Sequence, residues 1–163
     1  MKILITNSLK RKVFDSVNTL SIHYNDNSFI YTSSKKNKWI INLIYDVKYH
    51  YTLNFDQRFD DELIEISNKF KNENITIIPF EENQVLFFFS FIKNHGARNF
   101  KFLLPDYENY QTSRNKDKLS NFCLTNNIPC PKSIDLNSFL KHKFKFPIVV
   151  KPKIGFGSED VFF

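Results

Sequence analysis

Residues 75–82 read ITIIPFEE. The run Ile75-Thr76-Ile77-Ile78 carries one polar side chain and no polar alternation, and it ends at Pro79. Strands buried on both faces of a parallel sheet read this way. Glu81 and Glu82 follow, placing acidic groups at the positive end of a helix dipole. A helix is therefore predicted over residues 83–94, stopping near Gly96. The next strand is predicted over residues 100–104, FKFLL. Upstream, Asp60-Asp61-Glu62 open another helix, whose buried stripe is Leu63, Ile66 and Phe70.

The same alternation extends to the N-terminus. Residues 2–6 are a short apolar run, predicted as a buried strand. Asn7-Ser8 is predicted to turn the chain and cap a helix over residues 9–20, with Val13, Val17 and Leu20 on one face. Residues 28–32 (SFIYT) read as a strand. Residues 36–44 fit helix or strand, with helix favoured. Residues 45–53 read as a strand, because Val47, Tyr49, Tyr51 and Leu53 alternate. Strands alternating with helices of these lengths predict an α/β fold, a Rossmann-like parallel sheet with helices on both faces.

At 163 residues the chain is one domain, or one domain and part of another. Hydrophobic residues make up 42% and charged residues 25%, the balance of a soluble globular protein. A net charge of +6 permits an anionic partner without choosing one. The densest basic spots, Lys10-Arg11-Lys12 and Lys35-Lys36, are short and read as a solvated surface, so no nucleic-acid partner is expected. Cys123 and Cys130 lack CxxC spacing, and His23, His50, His95 and His142 are scattered, so no metal site is expected. Reduced thiols fit a cytoplasmic location. The opening MKILITNS has no signal-peptide pattern, and the longest apolar run, residues 85–92, is far short of a membrane span. No membrane partner is expected.

A domain boundary is predicted near residue 110, giving domains 1–110 and 111–163. Residues 110–116 are polar and read as the connection. A helix is predicted over residues 117–126 with Leu119, Phe122 and Cys123 inward, then an extended segment IPCPKS at residues 128–133, because proline disfavours helix before it. A short helix over residues 138–143, a strand over 146–151, a turn at 155–158 and a second strand at 161–163 complete the reading. The chain has three glycines, and Gly155 and Gly157 fall in that turn. A lysine at the end of a buried strand, Lys151, must send its ammonium to water or a partner. Glycine lets backbone amides approach an anion closely, and Ser158 adds a hydroxyl, so the segment is chemically a phosphate cradle. It matches neither GxxxxGK[ST] nor GxGxxG. A hairpin turn that uses glycine for its geometry remains open.

Taken together, Asp117-Lys118, Ile128-Pro129, Pro131-Lys132-Ser133, Pro147-Ile148-Val149-Val150-Lys151-Pro152, Gly155, Gly157-Ser158 and Val161 resemble, in order, the motifs of the ATP-grasp superfamily. Residues 75–82 resemble the Rossmann-like domain that precedes many ATP-grasp cores, as in the carbamoyl-phosphate synthase large-chain group. The resemblance implies that residues 111–163 are the incomplete start of an α+β ATP-grasp small lobe. It implies that Lys118 and Lys151 meet the ATP phosphates and that Gly155, Gly157 and Ser158 close over them. Asp160 stands where the family usually has a further glycine, which puts tight phosphate binding in doubt.

The implied function is the N-terminal portion of an ATP-dependent carboxylate–amine ligase, which activates a carboxylate as an acyl phosphate. Its partners would be ATP and a small carboxylate, with a separate chain or downstream segment supplying the rest of the fold. Magnesium is expected only through residues beyond this chain, no catalytic residue is assigned within it, and this chain by itself is expected to bind ATP weakly and turn nothing over. In relatives the Rossmann-like domain borders the substrate cleft, which brings Glu81 and Glu82 into view, although a helix dipole explains both. The alternatives are a non-catalytic ATP-grasp-like binding or interaction module, and a doubly wound domain that binds another anion at the carboxyl ends of its strands.

Overall fold

The computed structural model describes residues 1–33, 38–141 and 147–155. The chain divides into two compact units, Met1–Leu104 and Pro105–Phe163.

In the first unit, β1 (Lys2–Ile5), β2 (Phe29–Ser33), β3 (Tyr49–Thr52), β4 (Ile75–Ile78) and β5 (Phe100–Phe102) form one five-stranded sheet. Every pairing is parallel, and the order is β3-β2-β1-β4-β5. Four helices connect the strands: α1 (Arg11–Ser21), α2 (Lys38–Ile44), α3 (Phe59–Lys69) and α4 (Glu82–His95). The chain steps outward from β1 to β3, then returns to lay β4 against the other side of β1. This is the doubly wound, Rossmann-like plan.

Side-chain alternation along the strands divides the core between the two faces. Ile3 and Ile5 of β1, with Phe29 and Tyr31 of β2, pack against Val13 and Val17 of α1 and Ile41 of α2. Leu4, Ile30, Ile75, Ile77 and Phe100 face the other way, against Phe59, Leu63 and Ile66 of α3 and Phe88 and Phe91 of α4. All four residues of β1 and all five of β2 are therefore buried. Lys2 is among them. Its Nζ donates to the Asn27 carbonyl at 2.6 Å and lies 4.3 Å from the centroid of the Tyr49 ring, with Glu73 at 3.8 Å. Hydrogen bonding and the ring face compensate the lost hydration of the ammonium.

Several local expectations are corrected. Helix α1 starts at Arg11 with Lys10 as its N-cap, not behind an Asn7-Ser8 cap. The Ser8 hydroxyl is engaged at the sheet end instead, donating to the Ile5 carbonyl and accepting from Thr32 N–H at 3.1 Å. Tyr45 directly follows α2 and closes its last turn, its N–H donating to the Ile41 carbonyl, and its ring stacks on Tyr31 at 4.6 Å. β3 is correspondingly shorter than the predicted strand.

In the second unit the segment expected to be a polar connection is helical: α5 spans Tyr107–Arg114, and Asp106 caps it by accepting from Asn109 N–H. Helix α6 (Lys116–Thr125) follows, then α7 (Leu136–Lys141). Leu119 and Phe122 of α6 are exposed rather than inward. No strand forms over residues 147–151. Val150 is an isolated bridge position, and Val149 and Val150 are about half exposed. The predicted turn beyond Gly155 and the strand at 161–163 lie outside the described residues. The hydroxyl and N–H of Ser138, both bonded to Asp135 at the start of α7, hold that carboxyl below its usual range.

Phe59 touches the rings of Phe55, Phe87, Phe88 and Phe91 at centroid distances of 5.1, 5.3, 5.3 and 6.4 Å. Phe59→Ala should therefore cost about 3–5 kcal/mol in denaturant unfolding. A loss under about 1 kcal/mol, the scale of a surface change, would contradict this packing. The Asp135 contact to α7 should be fully present above the unfolded carboxyl midpoint and be lost as pH falls through its lower folded midpoint. Carbon-detected titration should therefore place Asp135 below the ordinary aspartate value of 3.8.

Candidate functional site

The N-terminus of α6 is fixed by Asn115, whose side-chain oxygen accepts from Asp117 N–H at 3.1 Å and Lys118 N–H at 3.2 Å. Asparagine is a strong N-cap because its short side chain reaches these otherwise unpaired amides. The cap holds Lys116, Asp117 and Lys118 in consecutive positions of the first turn.

The segment after Lys151 lies against this turn. Lys116 N–H donates to the Lys153 carbonyl at 3.0 Å, and Lys153 Nζ meets Asp117 Oδ2 at 2.8 Å. A Cβ built on Gly155 would sit 3.9 Å from Lys116 Nζ. The start of α6 and residues 151–155 thus form one surface. It carries Lys116, Lys118, Lys151 and Lys153 against the single carboxylate of Asp117. Lys118 and Lys151 are both exposed, so their ammonium groups reach solvent. One helix N-terminus and this excess of lysine favour an anion by charge and dipole alike.

Gly155 has a different local reason from the one its sequence suggests. Its φ lies outside the left-handed region. A Cβ there would instead fall 2.8 Å from Pro152 Cγ, inside van der Waals contact. Glycine at 155 lets the chain fold back onto the proline ring. Gly157 and Ser158 lie outside the described residues, as do Glu159 and Asp160.

The sequence singled out Lys118, Lys151 and Gly155 but not the residues that join their segments, Lys116 and Lys153. The available signal was the spacing Lys151-Pro152-Lys153, which sets two cations on one side of an extended chain. Asp117 is committed to Lys153, and among the described residues no group of three or more His, Cys, Asp or Glu side chains is placed to hold a metal. The described residues therefore do not fit a magnesium ion. Among the described residues no helix is long and apolar enough to cross a membrane.

In the first unit, Glu81 pairs with Lys12 at 3.0 Å. A depression of about 660 Å³ lies at the amino ends of β1, β4 and β5. Its wall includes Asn99, whose amide donates to the carbonyls of Phe70 and Glu73 beyond α3, a structural cap. No known family model matches the chain, and comparison with curated proteins finds no significant match.

Gly155→Ala should push Pro152 away and loosen the Lys116–Lys153 backbone bond. Amide exchange at Lys116 should accelerate about five- to tenfold, the worth of one net hydrogen bond. Unchanged exchange would show that the loop absorbs the methyl group without parting from α6.

Proposed function

We propose that this chain supplies the Rossmann-like domain and the first phosphate-facing segment of an ATP-grasp carboxylate–amine ligase acting in the cytoplasm. The observation that carries the reading is the packing of residues 151–155 on the first turn of α6. Two segments expected to meet one nucleotide, more than thirty residues apart in sequence, are neighbours within one unit. In this reading Lys118 and Lys151 offset the charge of the ATP phosphates, and main-chain amides at Gly155, Gly157 and Ser158 close over them.

The reaction activates a small carboxylate. A carboxylate oxygen attacks the γ-phosphorus of ATP, the bond to the β-phosphate oxygen breaks, and ADP leaves. An amine then attacks the acyl carbon of the acyl phosphate and expels inorganic phosphate. The chain's own part is positioning and electrostatic compensation. No step is assigned to a residue of this chain as acid, base or nucleophile, and none is routed through a metal.

A second reading is a binding module that has lost catalysis, favoured by Asp160 standing where the family usually has a further glycine. The two readings share a binding surface and differ in turnover.

Calorimetry with ATP tests the shared surface. Lys151→Ala and Lys118→Ala should each weaken binding by about tenfold, as expected for one charge-assisted contact of about 1.4 kcal/mol. Affinity unchanged in both variants would overturn the assignment. ADP release that depends on an added carboxylate and amine, assayed with polypeptide that completes the clamp, would separate ligase from module.

A further inference from the structure

We infer that the carboxyl ends of β1 and β4 form a second anion site, in the first unit, which takes a small molecule bearing a carboxylate or phosphate group. The inference does not rest on the ATP reading, because none of its residues belongs to the second unit. The strand order places the reversal of the winding between β1 and β4, and the crevice outside such a reversal is where open α/β sheets bind ligands.

The helices that start there are α1 and α4, and both lack a side-chain cap. Lys10, Arg11 and Lys12 stand at the N-cap and first two positions of α1, with no acidic residue in its first turn. Cations at that end oppose the helix dipole. A bound anion would reverse the penalty, since it meets positive dipole and positive side chains together. Lys12 Nζ bridges to Glu81 Oε1 at 3.0 Å, which joins the two helix starts. Glu81 and Glu82 are the opposing charges, and Glu81 pairs with Lys12. Lys10 and Arg11 remain exposed to solvent.

The independent observation is Gln84, in the first turn of α4 and fully buried. Its Oε1 accepts from Thr6 Oγ1 at 2.7 Å and from Phe80 N–H at 3.3 Å. Thr6 directly follows β1, and Phe80 lies just beyond β4, so this amide spans the gap between the two carboxyl ends. The Phe80 N–H only donates, which fixes the oxygen on that side and leaves Nε2 as the unsatisfied end. Among the described residues Nε2 has no hydrogen-bond partner. A buried amide nitrogen without an acceptor is unfavourable, and buried polar groups are nearly always paired. A ligand oxygen would pair it. Glu81 occupies Lys12 in the free protein, so an entering oxyanion exchanges with that carboxylate.

Amide shift mapping with inorganic phosphate, and separately with malonate, tests the site. Saturable shifts at residues 10–13 and 81–84 are expected, and the tighter of the two probes identifies the group recognised. Lys10→Ala/Arg11→Ala, both surface positions, should weaken binding about fivefold or more. Gln84→Met should weaken it further, and Glu81→Gln, which frees Lys12, should tighten it. Lys151→Ala should leave these shifts unchanged, which separates this site from the nucleotide surface. Absence of saturable shifts at both helix starts, or an affinity indifferent to the Lys10/Arg11 change, would overturn the inference. The charge variant decides the matter even if Gln84→Met does not fold.

Discussion

The burial of β1 on both faces is the constraint from which the first unit follows. Its residues alternate between two hydrophobic clusters, Ile3 and Ile5 in one, Leu4 in the other. A strand with apolar side chains on both sides needs helices above and below it, and it needs hydrogen-bonding neighbours on both edges. β2 and β4 supply the neighbours. α1 and α2 cover one face, α3 and α4 the other. The chain can satisfy this only by winding outward on one side of β1 and returning on the other. The reversal between β1 and β4, with two helix N-termini above it, is a consequence of that packing.

The second unit is built differently. α6 buries no residue completely, and Leu119, Phe122 and Leu124 are exposed. Polar contacts supply much of its definition: Asn115 on the α6 amides, Asp117 on Lys153, and Lys116 N–H on the Lys153 carbonyl. Exposed ion pairs contribute little stability on their own. The significance of this cluster is therefore chemical more than energetic. It holds several ammonium groups beside a capped helix start, where a multiply charged anion would relieve their mutual repulsion.

The parts legible in the sequence were those fixed by apolar periodicity. Residues 75–78 announced a buried parallel strand, and Leu63 and Ile66 announced the inward stripe of α3; both are as packing requires. The misread parts were those where a local hydrogen bond outweighed pattern. Tyr45 fits a strand alternation but completes the last turn of α2 through Ile41. Residues 110–116 read as a polar connection, yet most of them belong to α5, which Asp106 caps. Residues 147–151 have the composition of a buried strand, but Val149 and Val150 are about half exposed, and only Val150 holds a bridge position. At the candidate site, the lysines and glycine were legible as residue types. Their convergence through Lys116, Asp117 and Lys153 was not, because long-range pairing leaves no local signature.

The central claim is that the first turn of α6 and residues 151–155 together face the phosphates of a nucleotide. A crystal structure of the protein with a non-hydrolysable ATP analogue tests it most directly. The account predicts phosphate oxygens within hydrogen-bonding reach of Lys118 Nζ and Lys151 Nζ, with the Lys116–Lys153 backbone bond intact. A nucleotide bound elsewhere, with both ammonium groups facing only solvent, would contradict it.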